Sequence, residues 1–271
     1  MYNKLLKIFL ILFLLFNFLG CSNKIKEKNN SLPINQSLLT VNSTNENIIE
    51  RLEQFYFNTK RANGNSQSKM DNKDSQEQQP KENDKKQQQD EKKKKIELKK
   101  KEEKWKGLIN KIEQLFKNWN RYESEKSLPE EQTKAIEEKM NQLTLSIEED
   151  EQLLTALFKA NELNLEFAML YRQYYDKKYR AIIEEMRVYI RNIIYLSQIK
   201  GDNKAEQNKN LHKLEIGINN LKDFKVKKES KLMIKELNHY IEDIKEVIKQ
   251  QNNSVIKIKG NLILNKLNQL R

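Results

Sequence analysis

Along most of the chain apolar residues recur at steps of three and four, the spacing that places side chains on one face of a helix. Trp105, Leu108, Ile109, Ile112, Leu115, Phe116 and Trp119 make one such stripe, which reads as the core face of a helix. Ile136, Met140, Leu143 and Ile147 make a second in near-heptad register, and Leu153, Leu154, Leu157 and Phe158 resume it. A third strong helix is predicted through Phe167, Leu170, Tyr171, Tyr174 and Tyr175, continuing to Ile182, Ile183, Met186, Tyr189, Ile190, Ile193, Ile194 and Leu196. Two further sets follow, Leu211 to Leu221 and Leu232 to Ile248, and Leu262, Ile263, Leu264, Leu267 and Leu270 suffice for a short terminal helix. No comparable stretch alternates with period two and ends in hairpin residues, so strands are not expected. The predicted fold is all-α: an elongated helical bundle with coiled-coil-like helices over residues 92–271, preceded by a disordered tether.

Local signals divide the pattern. Ser127 and Glu130 have capping-box spacing, and Pro129 between them belongs in a first turn. An unbroken helix from Glu130 to Lys200 would be about 100 Å long at about 1.5 Å per residue. A break is therefore expected, either at Ser146–Glu151, where Ser146 and Glu149 repeat the capping-box spacing, or at Asn161–Asn164. Gly201-Asp202-Asn203 supplies residues that tolerate a left-handed turn and start the next helix.

The amino end has a different grammar. Lys4 and Lys7 precede an apolar run from Ile8 to Leu19 that stops at Gly20-Cys21-Ser22. A run of about a dozen residues is shorter than the roughly 20 needed to span a bilayer and matches the apolar region of a secretory signal. Residues 1–20 are read as a signal peptide. Phe18-Leu19-Gly20-Cys21 resembles the bacterial lipobox, although Phe18 stands where an aliphatic residue is usual. That resemblance implies a diacylglyceryl group on the sulfur of Cys21, acylation of its nitrogen after cleavage, and stable anchoring in a membrane. Residues 21–91 are dominated by Asn, Gln, Ser and Lys, too polar to offset ordering entropy, and are read as a mostly disordered tether. The exception is a short amphipathic helix near 44–58, where Ser43 and Glu46 have capping-box spacing and Ile48, Ile49, Leu52, Phe55 and Tyr56 follow. It either docks on the body or binds a partner.

Composition narrows the chemistry. The 271 residues include 51 Lys+Arg and 39 Asp+Glu, a net charge of +12, with 37% hydrophobic and 33% charged residues. Six Gly are too few for phosphate loops or a turn-rich sandwich, and one Cys with two distant His offers neither a disulfide nor a metal site. Glu148-Glu149 and Glu184-Glu185 have no His or second acid at a useful spacing, and no zinc-protease, nucleophile-elbow, P-loop or kinase signature occurs. No enzyme activity, cofactor or metal is expected.

Charge is segregated. Lys92–Lys106 holds nine Lys against three Glu, residues 123–166 have a net charge of −8, and residues 167–271 a net charge of +10. Clustered cations suit a polyanionic partner. The candidate contacts are Lys92, Lys93, Lys94, Lys95, Lys99, Lys100 and Lys101 in the first run. In the second they are Arg172, Lys177, Lys178, Arg180, Arg187 and Arg191, interleaved with Tyr171, Tyr174, Tyr175, Tyr179 and Tyr189 for stacking on bases. Other readings stay open: helical bundles need solvated faces, the acidic segment can pair with the basic one, and the lysine run can rest on anionic lipid headgroups.

The lipobox, the Asn/Lys-rich tether and the helical body without further Cys together resemble the plasmid-encoded surface lipoproteins of Lyme and relapsing-fever spirochaetes of the genus Borrelia. The basic, coiled-coil-like body best suits their long-helix branch, paralogous family twelve. That resemblance implies an outer-membrane lipoprotein, more at the cell surface than on the periplasmic face, that binds DNA without sequence preference. A second branch captures host complement or matrix proteins. The expected function is accordingly that of a lipid-anchored, non-enzymatic binding protein for DNA or glycosaminoglycan, with a host-protein receptor as the alternative.

Overall fold

The stripes assemble because each helix has one apolar face that only another helix can cover. The computed structural model describes residues 35–67, 83–148, 153–174, 178–224 and 227–271, with side chains placed except at 59–67, 83–98, 100–101, 104 and 148. All lie in one unit, Pro33–Arg271. The signal and Cys21 lie outside the described residues.

Eight helices are described: α1 Gln36–Gln67, α2 Asn83–Glu125, α3 Glu130–Glu148, α4 Leu153–Tyr171, α5 Lys178–Leu196, α6 Lys204–Lys222, α7 Lys228–Lys249 and α8 Asn253–Leu270. No strand occurs among the described residues. Helices α1 to α4 pack in a ring, each against its neighbours in order and α4 back against α1. Helices α5 to α8 close a second ring, with α8 returning to α5. The α4–α5 contact joins them, so these two helices have neighbours on at least three sides. Their sequences agree: α4 buries Ala156, Leu157, Ala160, Leu163, Phe167, Ala168 and Leu170, almost all round, as a helix at the centre must.

The peripheral helices follow their stripes closely. Ile136, Met140, Leu143 and Ile147 are buried on α3, and Ile234, Leu237, Ile241, Ile244 and Ile248 on α7. Some stripe members face water instead: Ile109, Leu232 and Leu262 are exposed, Leu232 by 60%. Helix α3 is described to Glu148 and α4 from Leu153, so most of the break expected at Ser146–Glu151 lies outside the described residues. Asn161 and Asn164 lie inside α4, buried, and donate through Nδ2 to the Val188 carbonyl and to Glu46 respectively. Gly201 has φ 112°, and the Asn203 side chain donates to the Leu196 and Ile199 carbonyls, closing α5.

Several expectations need correction. The helix near 44–58 is α1, 32 residues long and beginning at Gln36, and it docks on the body with Leu38, Val41, Ile48, Ile49 and Leu52 fully buried. The stretch from Leu38 to Leu52 thus belongs to the core rather than to a tether, and the helix expected from Lys92 begins at Asn83. Ser43 and Glu46 are no capping box, because they sit two turns inside α1. Finally, the third predicted helix is two: α4 tightens into i to i+3 bonds, Gln173 N to Leu170 O at 3.1 Å and Tyr174 N to Tyr171 O at 3.0 Å, and the chain restarts as α5.

Two glycines set how closely the second ring packs. A Cβ on Gly217 of α6 would stand 2.6 Å from Met186 Cγ, and one on Gly260 of α8 would stand 2.5 Å from Ile194 Cγ1. Met186 is unbranched and can swing aside, whereas β-branched Ile194 has little freedom inside a helix. Gly260→Ala is therefore expected to destabilise the protein by about 1–3 kcal/mol from overpacking, offset by a helix-propensity gain of up to about 1 kcal/mol, and Gly217→Ala by less. Urea denaturation of the two variants checks the order.

Candidate anion interface and the buried charge network

The first polar cluster is internal. On α1 the stretch Asn42–Glu46 points at the body despite its polarity, with Asn42, Thr44, Asn45 and Glu46 all buried. Glu46 accepts from Arg191 through both carboxylate oxygens, at 2.8 and 2.7 Å, from Arg187 Nη2, and from Asn164 Nδ2 at 2.6 Å. Asn45 Nδ2 donates to Asn164 Oδ1 at 2.6 Å and to the Ala160 carbonyl at 2.8 Å. Arg187 also pairs with Glu184 at 2.6 Å, and Arg271 Nε meets the other oxygen of Glu184 at 2.7 Å. One carboxylate of α1 thus bridges two arginines of α5 directly and accepts from an asparagine of α4 as well.

The electrostatics follow from this packing. Burial alone would push the Glu46 carboxyl up, but the charge and hydrogen bonds of Arg191, joined by Arg187, hold it well below the usual carboxylate range. Glu46 is therefore ionised at neutral pH and has no proton to give. Burial and the neighbouring Glu53 raise the Tyr195 hydroxyl, which donates to Glu53 at 2.8 Å. At the start of α1, Glu125 is lowered to about 2 by hydrogen bonds from Ser37, Asn35 and Arg121.

This network reassigns part of the predicted basic face. Arg187 and Arg191 are 4% and 6% exposed, and both are paired with Glu46, so neither is available to an external polyanion. Arg180 is mostly covered, with Nε 3.6 Å from Glu184 and its guanidinium 5.2 Å from the Tyr171 ring centroid. Arg172 is exposed but bound to Glu185 at 2.5 and 2.9 Å. Lys178 is exposed, and Lys177 lies outside the described residues. In the α2 run Lys99 is exposed, while the side chains of Lys92 to Lys95, Lys100 and Lys101 lie outside the described set. The tyrosines do not form a stacking row: Tyr171 and Tyr174 are buried, Tyr174 facing the Tyr122 hydroxyl at 3.1 Å, and Tyr179 packs edge-on against Phe224.

Besides Lys99 and Lys178, free cations lie at positions outside the predicted contacts. Around the α6–α7 turn, Lys222, Lys227, Lys228, Lys231 and Lys235 are exposed, and no described carboxylate ion-pairs with any of them. Lys222 meets only the amides of Asn219 and Asn238. Asp223 and Glu229 are the acids of this stretch. Elsewhere on α6 to α8 five lysines are matched, Lys209 with Glu206, Lys245 with Glu215, Lys249 with Glu246, Lys259 with Asp243 and Lys266 with Glu236, while Lys213 lies over the Tyr189 ring and Lys204 meets the Lys249 carbonyl. No ion pair among the described residues joins the acidic segment 123–166 to residues 167–271, so the charge segregation survives folding.

Beside this lysine ridge a groove of about 370 Å³ is lined by Arg172, Lys178, Ile182, Asn220, Asp223 and Phe224. A smaller one of about 190 Å³ continues it along α5 and α6, past Met186, Tyr189, Lys213 and Ile216. No described helix is long and apolar enough to cross a membrane. Comparison with protein-family models, with curated proteins and with solved structures finds no match.

Because the carboxyl of Glu46 is depressed in the folded state, its contribution to stability is complete above its ordinary value of 4.5 and is lost as pH falls from there toward the folded value. Thermal unfolding should accordingly show an acid-side loss beginning near pH 5. Glu46→Gln, which leaves buried guanidiniums short of a counter-charge, is expected to cost about 3–5 kcal/mol at pH 7 and to flatten that acid-side slope. Melting curves of both proteins from pH 3 to pH 8 test it.

Proposed function

We propose that the chain is a non-enzymatic binding protein, held at a membrane by lipid on Cys21, whose basic helical surface engages polyanions. Duplex DNA without sequence preference and sulfated glycosaminoglycan are the two ligands of this class. The observation that supports the reading is the ridge of exposed, unpaired lysines at the α6–α7 turn, Lys222, Lys227, Lys228, Lys231 and Lys235. Lysine ammoniums free of partner carboxylates release counterions when they meet phosphate or sulfate. The run from Lys92 to Lys101 adds a second basic stretch on α2. The layout that resembles Borrelia surface lipoproteins fits an outer-membrane protein presenting this surface outward.

One observation favours a second reading, a receptor for a host complement or matrix protein. The groove between α5 and α6 has half-buried Ile182 and Tyr189 and exposed Ile216 beside its cations, and Leu232 stands exposed on α7. Apolar anchors rimmed by charge suit a protein partner.

Salt separates the two. Polyanion affinity of the full chain should fall steeply between about 50 and 200 mM salt, with a log–log slope near −0.9 for each phosphate neutralised, while a patch-driven protein complex changes little. Replacing Lys227, Lys228, Lys231 and Lys235 together by Gln is expected to weaken DNA and heparin binding at least tenfold and to flatten the slope. Replacing Lys92 to Lys95 and Lys99 to Lys101 should act in the same direction. Wild-type gel shifts from both variants would discard the polyanion reading.

A further inference from the structure

A second electropositive feature lies away from the lysine ridge, where α1, α2, the first turn of α5 and the end of α8 meet. A cleft of about 580 Å³ opens there. One wall is a single stripe of α1, Gln36, Thr40, Ser43, Thr44 and Asn47, spaced so that hydroxyl and amide groups stack turn upon turn. Lys111 and Gln114 of α2 face it, and Arg180 and Arg271 complete the lining. Three cationic side chains line the cleft, and no Asp or Glu among the described residues does.

The cations are positioned from behind. Arg180 and Arg271 both turn Nε toward Glu184, at 3.6 and 2.7 Å, and nothing among the described residues hydrogen-bonds their Nη atoms. Lys111 Nζ gives one hydrogen bond to Gln114 at 2.9 Å, leaving two donors. The network behind holds four guanidiniums, Arg180, Arg187, Arg191 and Arg271, against the two carboxylates Glu46 and Glu184.

From this we infer that the cleft binds an acidic saccharide, in which sulfate or carboxylate groups meet Arg180, Arg271 and Lys111 and ring hydroxyls meet the α1 stripe. The lining decides the class. Leu39 is the one apolar residue in it, and no aromatic ring offers a face to a nucleobase. The volume falls within the range of about 300–1,000 Å³ that organic ligands occupy, too large for one small oxyanion. The inference rests on the polyanion reading only for the kind of ligand, since the cleft and the ridge share no residue.

The test is calorimetric titration of the full chain with a heparin-derived sulfated disaccharide. Saturable binding is expected, weakened at least tenfold by Lys111→Gln and abolished by Ser43→Trp, which fills the cleft from an exposed position; melting curves confirm that both variants stay folded. Arg271→Gln should weaken it as well. The four-lysine ridge variant is expected to bind the disaccharide as wild type does while losing long heparin and DNA. Absence of binding to the wild type, or undiminished binding to Lys111→Gln and Ser43→Trp, overturns the cleft and leaves the ridge standing. Equal affinity for inorganic sulfate or for a dinucleotide overturns the saccharide class.

Discussion

The structure depends on Glu46. A carboxylate taken out of water is tolerable only when charge and hydrogen bonds replace what water supplied. Here Arg187, Arg191 and Asn164 do so, and the donors come from two helices far away in sequence. The arrangement fixes the register and rotation of α1 together: a slide of one residue would strand Glu46 against apolar side chains and leave two guanidiniums facing each other. Ile48, Ile49 and Leu52 supply the apolar burial on the same helix, but apolar contacts alone are permissive about register. An ion pair with directional hydrogen bonds is not.

The same interaction explains what the surface looks like. Because α4 and α5 are shared by both helical rings, α5 has no broad face left for solvent, and its Arg187 and Arg191 serve the interior. Arginine suits that place, since its fork can satisfy two oxygens of one carboxylate and is more weakly hydrated than an ammonium. Lysine is left for the periphery. On α6 to α8 many lysines are neutralised by a nearby glutamate or aspartate, and five that are not lie around the α6–α7 turn.

How much of this the sequence discloses depends on whether a helix has one face or several. Helices α3 and α7 have a single buried stripe, and their core residues can be named from spacing alone. Helices α4 and α5 are buried on several sides, so periodicity loses its meaning; with no Gly or Pro at Arg172–Tyr174, their separation leaves no mark in the chain. The docked length of α1 is hidden for a related reason. Asn42, Thr44, Asn45 and Glu46 look like tether residues until Asn164, Arg187 and Arg191 are placed opposite them. One signal was present: Glu184, Arg187 and Arg191 share a helical face with Ile183, Ile190 and Ile194 as neighbours, which is where paired rather than solvated arginines are found. The cleft could not be read at all, because its residues come from four helices.

The surviving charge separation has a physical consequence for approach. Glu131 and Glu138 are exposed on α3 and lack an ion-pair partner among the described residues, while the lysines of the α6–α7 turn lie on the other ring. A molecule with free acids on α3 and free bases at that turn presents different faces to a polyanion at a distance of about a Debye length, roughly 8 Å at physiological salt. Repulsion from α3 and attraction toward the α6–α7 turn select one orientation before contact, which neither charge patch would do alone. A protein with its cations scattered evenly would attract DNA or heparin equally from every side. Here the interior use of Arg187 and Arg191 takes two cations away from the surface, and the charge left at the α6–α7 turn is the more directional for it.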